Sequence, residues 1–135
     1  MKASTGSKIM CLSLILIIVC FPACRDSDLI ASIVNSQTAR IEIRNETKDT
    51  SINAFVSIKS QLEIEELKNI LRNSKKTDRN YNTKGNYGAL EISLIDINNG
   101  RMTVRNIKTD QGYAIKNGNV SYDGHSIYEH IKNRY

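Results

Sequence analysis

Ile41 and Ile43 alternate with Arg40, Glu42 and Arg44, a period of two that predicts a strand over 39–45 with one face in water. Beyond a polar turn at 46–50, Ile52, Ala54, Val56 and Ile58 alternate again, which predicts a second strand and a hairpin. The period then lengthens. Ile64, Leu67, Ile70 and Leu71 share one face of a helix over about 61–73, with Glu63, Glu66 and Lys68 largely away from that face. Ser60-Gln61-Leu62-Glu63 fits a capping box, in which the serine hydroxyl and the glutamate carboxylate each take an unpaired amide at the helix start. The acidic start and basic end of this segment suit the helix dipole.

Residues 74–86 are polar and read as an exposed loop. Leu90, Ile92 and Leu94 then restore the period of two, with Ile95 and Ile97 adding a second apolar face, so this segment is the best central strand. Asn98-Asn99-Gly100 supplies the positive φ of a tight hairpin, and the chain returns through Met102, Val104 and Ile107. The break in phase near Arg105 or Asn106 predicts a bulge. A further pair, 112–116 and 119–122, turns at Asn117-Gly118, and Asp123 can cap a terminal helix in which Ile127, Tyr128 and Ile131 share a side. The sum is an α+β fold: an antiparallel sheet of about five or six strands, a helix packed on one face and a short C-terminal helix. The patch Leu29-Ile30-Ala31-Ser32-Ile33-Val34 is open between helix, which Asp28 would cap, and strand, which its β-branched residues favour.

The N-terminus has a different logic. Lys2 and Lys8 precede an apolar run from Ile9 to Phe21 in which Ser13 is the clearly polar residue, the layout of a secretory signal. A span of the bilayer takes roughly 20 apolar residues, and this run stops at Pro22 and Arg25; the competing reading is a short anchor that is never cleaved. Phe21-Pro22-Ala23-Cys24 resembles the lipobox of bacterial lipoproteins, matching at Ala23 and Cys24 and departing at Phe21, where leucine is usual, and at Pro22. The resemblance covers residues 1–24. It implies that the Cys24 thiol receives a diacylglyceryl group, that the chain is cut before it, and that the new amine can be acylated. Each buried methylene contributes about 0.8 kcal/mol, so two or more chains make attachment stable. Arg25 in place of aspartate after that cysteine implies the outer membrane in an organism that has one.

These boundaries divide the chain into a signal peptide at 1–23, a lipidated tether at 24–38 and one small domain at 39–135. The length of 135 residues, 40% hydrophobic, suits one core. The net charge is +5, but two of those charges are Lys2 and Lys8. Cys11, Cys20 and Cys24 are the three cysteines, so the exported part can form no disulfide and offers no thiol nucleophile or cysteine metal site.

Candidate chemistry is sparse. His125 and His130 lie about 140° apart around a helix and do not converge on one ion. His125 and Glu129 share a face with Asp123 just upstream, which offers a partial oxygen and nitrogen site for a small envelope hydrolase, with or without the help of a metal. The H-E-x-x-H and G-x-S-x-G patterns are missing, and Glu63, Glu65 and Glu66 fit a helix start better than acid–base work. Lys75, Lys76, Arg79 and Lys84, with Tyr81 among them, form a basic stretch suited to anionic lipid or cell-wall polymer; export argues against nucleic acid. The leading expectation is a membrane-anchored envelope lipoprotein with no cofactor and no catalysis, whose domain recognises a protein or envelope component. The alternatives are the hydrolase at Asp123, His125 and Glu129 and a module that binds anionic surfaces.

Overall fold

The alternating segments pair into a single antiparallel sheet in the computed structural model, which describes residues 29–78, 88–117 and 120–135. Helix α1 (Leu29–Asn35) leads into β1 (Arg40–Asn45) and β2 (Phe55–Ile58), followed by α2 (Gln61–Arg72) and β3 (Lys76–Thr77). Then come β4 (Ala89–Ile95), β5 (Arg101–Thr109), β6 (Gly112–Asn117), β7 (Val120–Asp123) and α3 (His125–Arg134). Among the described residues the sheet has seven strands in the order β2-β1-β4-β5-β6-β7-β3.

Directly opposed residues share a face, and the register therefore draws apolar rows across the sheet. Ile58, Ile41, Leu94 and Met102 form one row, and Val56, Ile43, Ile92 and Val104 the next. The helices cover this face through Ile30 and Ile33 of α1, Ile64, Leu67 and Leu71 of α2, and Ile127, Tyr128 and Ile131 of α3. The reverse face is ionic. Arg40 and Arg101 both reach Glu42, at 3.1 and 2.9 Å, and Arg105 reaches Glu46 at 3.2 Å. The hydrogen bond from Arg40, with help from Arg101, holds the Glu42 carboxyl below its usual range. Such pairs are screened by water and contribute about 0–1 kcal/mol each. Among the described residues no helix is long and apolar enough to cross a membrane.

The α+β architecture agrees with the sequence pattern, and the differences have local causes. The patch at 29–34 is helical, and Ile30 and Ile33 are buried in the core, so the folded body starts before residue 39. Lys68 does not face away from the apolar side of α2. It is buried, and its ammonium donates to the Ser36 carbonyl just past the end of α1, where the helix dipole is negative. The predicted capping box does not form: Ser60 stands at the N-cap without a side-chain bond, and the Glu63 carboxylate meets Arg134 of α3 at 3.4 Å. A guanidinium is a stronger partner than a neutral amide. Strand β2 starts later than predicted because Asn45 Nδ2 donates to the carbonyls of Asp49 and Ile52, at 2.9 and 3.1 Å, closing the turn before the ladder.

No bulge interrupts β5, whose register with β4 runs unbroken from Arg101 to Ile107. The apparent break in phase is Asn106, an inward-facing polar residue in a fully buried position. Ile97 is not part of a second apolar face; it is 82% exposed at the hairpin tip. The extra strand, β3, occupies part of what reads as a loop, pairing Lys76 with Tyr122 and Thr77 with Ser121 of β7.

Candidate functional site

Three segments distant in sequence meet where β6 begins and β7 ends. The Lys75 carbonyl accepts the Asp123 N–H at 2.9 Å, which ties the entry of β3 to the end of β7. The Gly124 N–H donates to the Tyr113 carbonyl at 2.9 Å, which ties the start of α3 to β6. The β5–β6 turn supplies the third side. Thr109 Oγ1 donates to the Gly112 carbonyl at 2.9 Å and accepts from the Gln111 N–H at 3.2 Å. Gly112 has φ +122°, a backbone conformation that side chains rarely adopt.

Between these segments lies a groove of about 410 Å³. Lys75, Lys76 and Thr77 line one side, Gln111, Gly112 and Tyr113 a second, and Asp123 and His125 the junction with α3. The junction is tightly built. Asn106 Nδ2 donates to the Gly124 carbonyl at 2.8 Å inside the core. A Cβ on Gly124 would collide with Asn106 Oδ1 and lie 3.1 Å from the Tyr113 carbonyl carbon, so only glycine lets α3 start this close to the sheet. Asp123 Oδ1 accepts the His125 N–H at 3.0 Å. That bond satisfies an amide at the start of α3, but the N-cap is Gly124 and no side chain caps it, so Asp123 stands one position before the cap that the sequence predicts it to be. Among the described residues neither the Lys75 ammonium nor the His125 ring is paired with a carboxylate.

The Tyr113 ring is fixed from behind. It stacks on Tyr128 with centroids 3.7 Å apart and planes 14° apart. The Tyr128 hydroxyl donates to Asp49 Oδ2, and Lys132 Nζ lies 3.6 Å from the same carboxylate. Asp49 Oδ1 accepts both the hydroxyl and the N–H of Ser51. The Ser51 and Tyr128 hydrogen bonds, with the Lys132 charge, hold the Asp49 carboxyl well below the usual carboxylate range. Burial and the bond to Asp49 push the Tyr128 phenol well above its ordinary value.

The sequence marks Lys75 and Lys76 in one stretch, and Asp123 and His125 in another; the structure brings these four to one groove. Glu129 is not part of its lining, so the predicted Asp123, His125 and Glu129 grouping does not close on one point there. His130 sits elsewhere on α3, half-buried, with Nδ1 4.0 Å from Glu66 Oε1. No group of three or more metal-ligating side chains occurs among the described residues. Arg79, Tyr81, Lys84 and Cys24 lie outside the described residues. Gln111 and Tyr113 carry no chemical signal in the sequence; the turn around Gly112 is the feature that could have drawn attention to them. Comparison with protein-family models, with characterised proteins and with solved structures gives no match.

Proposed function

We propose that this chain is an envelope lipoprotein, anchored through lipid on Cys24, whose small body binds an envelope component rather than transforming one. The observation that supports this reading most is the lipobox-like Phe21-Pro22-Ala23-Cys24 standing directly before a folded body whose first helix starts at Leu29. Five residues span at most about 18 Å when extended, so a lipid on Cys24 would keep the domain at the bilayer surface. The groove beside Lys75 and His125 is the recognition surface in this reading, because the side chains of Lys75, Gln111 and His125 line open space.

Mass spectrometry of the intact protein from membranes tests the anchor. The expected result is an N-terminal Cys24 carrying diacylglyceryl and acyl groups, and loss of membrane attachment in Cys24→Ser. A mature N-terminus at another residue, or Cys24 recovered as a free thiol, overturns the reading.

A further inference from the structure

We infer that the end of the sheet carrying Leu62 and Ile97 is a membrane-docking face, which seats the body on a phospholipid surface without net charge and places these two side chains among the headgroups. This says which way the anchored body faces, and it rests on the anchor proposed above.

The register gathers the face. Ile95 stands opposite both Arg40 and Arg101. Beyond that row, at one end of the sheet, lie the β4–β5 hairpin, the entry to β1 and, just after Ile58, the start of α2. Among the described residues the large apolar side chains left exposed are Phe55, Leu62, Ile97 and Val120. Leu62 and Ile97 are the most open of them, at 85% and 82%, and both belong to this end. Phe55 opens β2 at the opposite end, and Val120 lies on β7 toward the far edge.

Both side chains are held out by fixed backbone. Asp96 Oδ1 accepts the N–H groups of Asn98 and Gly100, each at 2.8 Å, and the Asp96 N–H donates to the Gly100 carbonyl at 2.9 Å. That ties the hairpin around Ile97. Leu62 stands on the first turn of α2, which is seated in the core through Ile64, Leu67 and Leu71. Little ordering is therefore left for docking to impose. Lys59, exposed just before α2, has a stem long enough to carry its ammonium to headgroup level. Arg40 and Arg101 are already on Glu42, and Asp96 adds a second carboxylate, so the end is close to charge balance and its attraction to a bilayer is apolar.

The entry point of the chain favours a bilayer as the occupant. Ser36, Gln37 and Thr38, just past α1, line the space beside Asp96, Ile97 and Asn98. Between this point and Cys24 lie the seven residues of α1, about 10 Å long, and a connection of at most about 18 Å. The opposite end of the sheet is a nine-residue strand further off, about 30 Å. Two apolar side chains hold a free domain on a bilayer weakly, but a tether this short makes the contact intramolecular, where a weak contact is enough.

The test places single thiols on the full chain by Leu62→Cys, by Ile97→Cys and, at the β5–β6 turn of the opposite end, by Asp110→Cys. Each protein is purified from membranes, labelled with nitrobenzoxadiazole and reconstituted in phosphatidylcholine vesicles. The expected result is that nitroxide carried on the lipid quenches the labels at 62 and 97 several-fold more than the label at 110, in low and high salt alike. Adding Ile97→Asp to the Leu62→Cys protein should lower the quenching at 62 toward the level at 110. Equal quenching at the three positions, or quenching at 62 and 97 that salt abolishes, overturns the inference. So do labels at 62 and 97 that are shielded from aqueous iodide yet untouched by the lipid nitroxide, the pattern of a protein partner on this end. The parent chain reports the anchor separately, because an acylated Cys24 takes no label. An unlabelled parent with equal quenching at the three positions rejects the docking face alone; a parent labelled at Cys24, with selective quenching still present at 62 and 97, rejects the anchor alone.

Discussion

Two clusters built from nearly the same residue types sit on either side of the Tyr113–Tyr128 stack, and they behave differently. In one, Asp49, Ser51, Tyr128 and Lys132 turn their polar groups on each other. In the other, Asp123 accepts the His125 N–H while Lys75, Gln111 and His125 line an open groove. The first pins the β1–β2 turn to α3 across 79 positions of sequence. The second leaves the Lys75 ammonium and the His125 ring without a carboxylate partner among the described residues. A carboxylate, a tyrosine and a lysine near one another therefore say little until their mutual hydrogen bonds are known.

The wall between the two clusters is most vulnerable at Gly124. Gly124→Ala puts a methyl group into Asn106 Oδ1 and should cost about 2–3 kcal/mol, within the range for overpacking a closed site, read from urea unfolding. Next is Tyr128→Phe. It removes the donor to Asp49 while keeping the ring stack, and a loss of about 1–2 kcal/mol is expected from the broken bond to a charged acceptor. Acid probes the same bond. The Asp49 carboxyl is held below its ordinary value of 3.8 in the folded chain, so its contribution is present above that value and fades as pH falls through the folded one. The stability gap between the parent and Asp49→Asn, measured across this range, should close as pH drops; a gap that widens refutes the assignment. The smallest effects belong to the groove. Lys75→Gln and His125→Ala should each change stability by no more than about 0.5 kcal/mol, because both side chains are exposed and unpaired among the described residues.

Much of the layout is legible because burial leaves a period. Ile41 and Ile43, or Leu90, Ile92 and Leu94, can be inward only if the chain is extended, and Ile64, Leu67 and Leu71 only if it is helical. The patch at 29–34 leaves helix and strand equally open because its apolar residues run nearly unbroken. Strand β3 is invisible, since two residues cannot display a period and Lys76–Thr77 carries no apolar mark. Lys68 misleads for a related reason: its neighbour is the end of another helix, and nothing in α2 itself announces that. Each half of the groove draws attention through its charged residues, but their meeting depends on a backbone bond between Lys75 and Asp123, 48 positions apart, which no local pattern encodes. Asn106 mimics a bulge because a buried amide looks, in sequence, like a polar interruption of a strand.

The clasp between Lys68 and Ser36 has a mechanical side. Tension entering from the N-terminus arrives first at α1, whose seven residues are too few to resist by their own helical bonding. Ile30 and Ile33 seated in the core, and an ammonium gripping the carbonyl just past its end, give that short helix the hold of a cleat on a rope. Load is then shared with α2 before it reaches β1, and the β1 ladders with β2 and β4 are spared the first pull.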